Sequence, residues 1–149
     1  MRPSLNGYCA FCDSVVLDNQ KFYEDDKVLA LYTHKPVFPG HCLIISKSHA
    51  ERFDQLSDLE IAQIGMVAKK VNKAVQEVFG TSSYLLLQKN GVEVGQSVPD
   101  VHFHYIPRCL GDGSALKFVL MMFLANAKSP ISKHEIHENI EKLRVVIDR

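Results

Sequence analysis

The sequence predicts an α+β domain in which a mainly antiparallel sheet is covered by one long amphipathic helix and followed by a C-terminal helix. Three observations carry this. Short, extended-looking apolar runs bounded by turn residues recur at 21–33, 42–45, 84–88 and 101–107. One longer stretch, 57–80, keeps helical apolar spacing between a capping signal and a glycine. No repeat, low-complexity tract or linker-like shift in composition divides the 149 residues, a length that suits one domain able to bury a real core.

In chain order, two extended runs flank the turn Glu24-Asp25-Asp26-Lys27, the second being Val28-Leu29-Ala30-Leu31-Tyr32, and together they read as a hairpin. After Pro36, Pro39 and Gly40, the run Cys42-Leu43-Ile44-Ile45 is too short for a helix and reads as a buried strand. Ser57 caps the next element, Glu60 reaches back to complete a capping box, and Leu56 can staple onto Ile61. Ile61, Ile64, Ala68, Val71, Val75 and Val78 then follow on one helical face to Gly80, the C-terminal stop. Two strands, Tyr84 to Gln88 and Val101 to Pro107, are separated by the glycine-punctuated loop Asn90-Gly91-Val92-Glu93-Val94-Gly95. The segment Ala115 to Leu124 is apolar on all sides and reads either as buried core or as a subunit interface. A second capping box, Ser132 with Glu135, opens a final helix that carries Ile136, Ile140, Leu143 and Ile147 on one face.

Seventeen basic residues balance seventeen acidic ones, so no global field draws the chain to nucleic acid or to an anionic membrane. Any bound phosphate must be held by a local site. Residues 1–7 lack the apolar run of a secretory signal, and no stretch is long and apolar enough for a membrane span, so a soluble, cytoplasmic protein is expected. Nothing argues for an oxidising compartment, and the four cysteines, including the pair Cys9-x-x-Cys12, read as reduced thiols or metal ligands. Cys42 and Cys109 are expected to be ordinary small hydrophobic residues. His134 and His137, three apart on the final helix, read as a solvated face.

The chemistry concentrates on one strand. Alternation puts Asp100, His102, His104 and Ile106 on one face and Val101, Phe103 and Tyr105 on the other. Two imidazoles at i and i+2 lie roughly 6.6 Å apart, close enough for one phosphate to touch both. The preceding Gly95-Gln96-Ser97 offers backbone N–H groups, a carboxamide and a hydroxyl as phosphate donors. A neutral imidazole has a free lone pair near neutral pH and can act as a nucleophile.

The run Gly91-x-x-x-Gly95-Gln96-Ser97-Val98-x-x-Val101-His102-Phe103-His104-Tyr105-Ile106-Pro107-Arg108 resembles the signature of the histidine triad (HIT) family. So does Lys35-Pro36-Val37-Phe38-Pro39-Gly40-His41-Cys42-Leu43-Ile44-Ile45 with the capped helix after it, and the resemblance spans about residues 8 to 108. It implies a HIT-like five-stranded antiparallel half-barrel with a covering helix, 109–149 being a C-terminal extension, and usually a homodimer. It implies a nucleotide hydrolase or nucleotidyl transferase that cleaves nucleoside phosphoramidates or dinucleoside polyphosphates through a nucleotidylated histidine. On this resemblance His102 is the nucleophile, His104 holds the phosphate and relays protons, and His41 belongs to the hydrogen-bonded shell that fixes the imidazole tautomers. Gln96 and Ser97 match phosphate contacts, Asn90 a polar loop position beside the nucleotide, and Leu31, Thr33 and His34 the base and ribose pocket.

The first histidine of the triad is replaced by Asp100; the fixed flanks exclude a shifted register. In the branch of the family with an N-terminal Cys-x-x-Cys pair, a structural zinc joins that pair to two further ligands, and the matching positions here are His49 and Asp100. Asp100 lies two residues back from His102 on the same face and can point at a metal beside the pocket; a metal-free alternative has its carboxylate accept a hydrogen bond from a histidine. A rival to the enzyme is a catalytically weak nucleotide-binding or zinc-stabilised interaction module. Retention of His102, His104, Gln96 and Ser97 together favours the enzyme.

Overall fold

A computed structural model describes residues 7–149; residues 1–6, read above as lacking a signal's apolar run, lie outside the described part. The expected hairpin is β1 (Lys21–Glu24) with β2 (Val28–Tyr32), followed by β3 (Cys42–Ser46), β4 (Ser83–Gln88) and β5 (His102–Arg108). All pairings are antiparallel, in the order β1-β2-β3-β5-β4. The strand with the histidines is therefore interior, between β3 and β4.

β2 and β3 are buried along their whole length, which explains their unbroken apolar runs: each face of the sheet is covered by something different. Val28, Ala30, Tyr32, Cys42, Ile44 and Tyr105 face a core completed by the long helix α2 (Asp58–Phe79) and the final helix α4 (Lys133–Ile147). Leu29, Leu31, Leu43 and Ile45 face the opposite way, against Cys9, Phe11 and Cys12 of the N-terminal segment. That segment continues into a short helix, α1 (Ser14–Gln20), whose first turn Asp13 caps by accepting from the Val15 N–H at 2.9 Å. Seven residues with two adjacent valines give no readable helical period, so this element was not expected.

The α2 signals act as anticipated. Ser57 accepts from the Glu60 N–H, Glu60 accepts from the Ser57 N–H, and Gly80 terminates the helix at φ 66°. Ser132 accepts from the Glu135 N–H at the start of α4, which buries Ile136, Ile140, Leu143 and Ile147 as expected. His134 and His137 are exposed on its outer face. The ambiguous apolar segment is helix α3 (Ala115–Leu124), and it is not core: Phe118 is buried against Val37 and Ile106, whereas Leu116, Leu120 and Phe123 face outward. Cys42 is fully buried, but Cys109 is exposed, contrary to the expectation, because it follows the last residue of β5 and leaves the sheet. No helix among the described residues is long and apolar enough to cross a membrane.

Candidate active site and metal centre

β5 pairs with β3 so that His102 lies opposite Ile45 and His104 opposite Leu43. Both imidazoles thus project onto the face away from α2, into a pocket of about 240 Å³. His41, just before β3, comes to the same place because Gly40 turns the chain tightly: at φ 93° its Cα packs so near α2 that an added Cβ would lie 2.8 Å from Val75 Cγ1. The His41 and His104 ring centroids are 5.3 Å apart, and those of His102 and His104 5.0 Å.

The hydrogen bonds fix each ring. The Val37 N–H can only donate, and it donates to His41 Nδ1 at 3.1 Å. The His41 proton is therefore on Nε2, which donates to His104 Nδ1 at 3.0 Å and leaves the His104 proton on Nε2. His102 has the reverse arrangement. Its Nδ1 lies 2.7 Å from the Asp100 carbonyl, an obligate acceptor, so Nδ1 carries the proton and Nε2 keeps its lone pair. Phe11 meets the His102 ring edge-on at 5.0 Å. Burial holds all three rings neutral: it pushes His102 below its ordinary value, His41 down to about 4 and His104 down to about 2, the last aided by repulsion from His41, His102 and Lys89.

Thr33, His34 and Ser97 line this pocket with the three histidines. Among the described residues, the Ser97 hydroxyl and the Ser97 and Val98 N–H groups have no protein partner and remain free for an anion. Three expected residues do not line it. Leu31 is fully buried behind it in the cluster with Phe11 and Leu43. Asn90 Oδ1 accepts from the Phe53 N–H at 2.7 Å and ties the loop to the short turn 53–55 that precedes α2. The Gln96 carboxamide is spent on backbone groups, accepting from the Gly91 N–H of its own loop at 2.6 Å and donating to the Glu51 carbonyl before α2 at 2.8 Å. In their stead the pocket includes Phe11, Val16 and Gln20 of the N-terminal segment, Lys35, Lys89, and Met122, Ala125 and Asn126 at the end of α3 and just beyond. Adjacency to Asn90 was the only sequence signal for Lys89; Lys35 opens the family-like run before β3 and Phe11 lies inside the Cys9-x-x-Cys12 pair, while the others lie outside any local pattern.

Beside the pocket, Cys9, Cys12, His49 and Asp100 place one donor atom each within 4.8 Å of one another. Asp100 Oδ2 is 3.5 Å from Cys9 Sγ, 4.0 Å from Cys12 Sγ and 3.4 Å from His49 Nδ1, and Cys12 Sγ is 3.4 Å from His49 Nδ1. Ligands at ordinary zinc bond lengths sit at the corners of a tetrahedron with edges of roughly 3.3 to 3.8 Å, so this set can hold such an ion with little adjustment. The donor chemistry agrees. Asp100 is fully buried, and burial pushes the Cys9 thiol up to about 12, a cost that a divalent cation would offset. The Asp100 carboxylate faces this cluster, while its own carbonyl faces His102.

A family model for the HIT domain matches residues 14–110. An adenosine 5'-monophosphoramidase of Schizosaccharomyces pombe is 40% identical over 102 residues, covering 67% of this chain and 74% of that protein. An uncharacterised HIT-like protein of Methanocaldococcus jannaschii is 38% identical over 112 residues, covering 74% and 86%. The crystal structure of a hypothetical histidine triad nucleotide-binding protein from Sulfolobus tokodaii shares the fold with a TM-score of 0.76 at 26% identity, over 94% of this chain and 92% of the other. With the sheet order, the paired histidines on β5 and these matches in agreement, the chain belongs to the HIT domain family.

Proposed function

We propose that the protein is a nucleotide hydrolase or nucleotidyl transferase acting at the α-phosphate of nucleoside phosphoramidates or dinucleoside polyphosphates, with His102 as the nucleophile. The observation that carries this reading is the pair of opposed tautomers in one pocket: His102 offers an Nε2 lone pair and His104 an Nε2–H. Nε2 of His102 forms a bond to phosphorus while the bond to the leaving group breaks, its electron pair departing with that group; a polyphosphate leaves as the anion, whereas an amine takes up the His104 Nε2 proton as it leaves. The positive charge on the His102 ring is stabilised by the Asp100 carbonyl at Nδ1, and the His104 N–H together with the Ser97 donors holds the phosphate oxygens. Water then displaces the imidazole, the nucleoside monophosphate is released, and the proton set free from that water restores His104 Nε2–H after an amine has left or passes to solvent after a polyphosphate has. His41 positions His104 and does not touch the substrate. Thr33 and His34 border the nucleoside. The test is incubation with adenosine phosphoramidate and with a diadenosine polyphosphate, followed by chromatography for AMP. His102→Ala abolishes turnover but still binds AMP, because the loop donors remain; turnover within tenfold of wild type overturns the assignment.

The four-donor cluster is read as a structural zinc site. Two thiolates, one imidazole and one carboxylate make a closed set, so a bound zinc contributes cross-linking and no open position for chemistry. Asp100 couples the two sites: its carboxylate belongs to the cluster, and its carbonyl sets the His102 tautomer.

For assembly, a homodimer is the reading supported by the outward apolar side chains Leu116, Leu120 and Phe123 of α3 and by the exposed Tyr84 and Leu86 on the edge strand β4.

A further inference from the structure

The charge around the pocket is one-sided. In a chain whose acidic and basic residues cancel, the lining contains two lysines, Lys35 and Lys89, and no Asp or Glu. Both lysines are half-buried, and among the described residues no carboxylate lies within ion-pair distance of either. Their ammonium groups instead donate to backbone carbonyls, Lys35 to Asn126 at 3.1 Å and Lys89 to Gly95 at 3.4 Å. Neither contact neutralises the charge, and neither carbonyl would be left buried if the ammonium turned toward a ligand. With no carboxylate in the lining to offset them, the lysines set the sign of the field in the pocket.

The topology places these cations on opposite sides of the reacting centre. Lys35 follows β2 and Lys89 follows β4, while His102 and His104 stand on β5, between β3 and β4. Thr33 and His34, which border the nucleoside in the proposed reading, share the β2 side with Lys35. A substrate held there and reacting at His102 sends its leaving group toward β4, where Lys89 stands beside Ser97 and Gly95. A uniform role in binding the α-phosphate would need one charge at the histidines. A lysine on the leaving-group side matters most when that group is itself an anion, since the departing oxygen gains negative charge as the bond to phosphorus breaks.

We propose, resting on the nucleotidyl-transfer reading above, that the preferred substrates carry a polyphosphate leaving group, as dinucleoside polyphosphates do, and that Lys89 is the residue that selects them over phosphoramidates with a neutral amine leaving group. Lys89 acts as a point charge, so charge and not hydrogen-bonding capacity is what discriminates. Glutamine keeps a donor at similar reach without the charge, and arginine keeps the charge.

The experiment measures kcat/KM for diadenosine tetraphosphate and for adenosine phosphoramidate with the full-length protein and its Lys89→Gln and Lys89→Arg variants. The expected result is a wild-type preference for the tetraphosphate, a fall of tenfold or more in the ratio of the two kcat/KM values in Lys89→Gln, and recovery of most of that ratio in Lys89→Arg. A wild-type preference for the phosphoramidate, or equal losses on both substrates in Lys89→Gln, overturns the proposal and leaves nucleotidyl transfer intact. The binding arm uses His102→Ala protein and compares the Kd of ATP with that of AMP: adding Lys89→Gln is expected to weaken ATP at least fivefold more than AMP. Equal weakening, or none, overturns the role of Lys89 even if no substrate is turned over, whereas turnover that survives His102→Ala overturns the nucleophile alone.

Discussion

Three neutral imidazoles buried together make the protein sensitive to acid in a defined window. His41 and His104 have folded values of about 4 and about 2, both lowered by burial, against an unfolded value near 6.5. Between the folded and unfolded values the unfolded chain binds more protons, so stability rises with pH up to about 6.5 and is flat for these groups above it. Urea unfolding at pH 5 is therefore expected to show a lower midpoint than at pH 7.5, and His41→Asn, which removes one of the two, is expected to shrink that difference. An unchanged difference in the variant would show that the acid sensitivity lies elsewhere. The same burial serves the chemistry, because a neutral His104 with its proton on Nε2 requires that His41 donate to its Nδ1.

Between strand and helix, the turn at Gly40 couples the sheet to α2. Its N–H donates to the Tyr32 hydroxyl at 3.1 Å, its φ of 93° disfavours any side chain, and a Cβ there would collide with Val75 and crowd Pro107. Gly40→Ala is expected to destabilise the domain by about 2 kcal/mol or more, the usual cost of overpacking with positive-φ strain added. The change should also move His41, so a loss of AMP formation beyond what the unfolded fraction explains is the second readout. A stability within about 0.5 kcal/mol of wild type, the range of a surface substitution, would show that α2 does not hold this turn.

For the molecule as a whole, two connections distant in sequence are expected to be decisive. If the cluster of Cys9, Cys12, His49 and Asp100 holds zinc, elemental analysis of protein purified without chelator gives one zinc per chain, lost in Cys9→Ser and weakened in Asp100→Ala. Wild-type protein that contains no zinc and still loses activity in Asp100→Ala, which keeps the backbone carbonyl, would favour the metal-free alternative in which the Asp100 carboxylate accepts a hydrogen bond from His49, whose Nδ1 lies 3.4 Å from Oδ2. Assembly is tested by light scattering at micromolar concentration, with twice the chain mass expected and reversion to a monomer on replacing exposed Phe123 or Leu116 by glutamate. A wild-type monomer would leave the outer face of α3 without that explanation.

Local chemistry wrote much of this plainly into the chain. The capping box at Ser57, the stop at Gly80, the hairpin around Asp25 and the alternation of His102 and His104 with Phe103 and Tyr105 depend on neighbours within a few residues, and each is legible for that reason. The pocket walls are different, because they depend on which distant group captures a loop side chain. Asn90 and Gln96 carry suitable chemistry, but the Phe53 N–H and the Glu51 carbonyl engage them, and the adjacent Lys89 reaches the pocket instead. Leu31 has the right strand face but is sealed behind Phe11 and Leu43. The outward face of α3 is equally unreadable, since a helix apolar on all sides gives no period, and only the packing of Phe118 against Val37 and Ile106 shows which side turns inward.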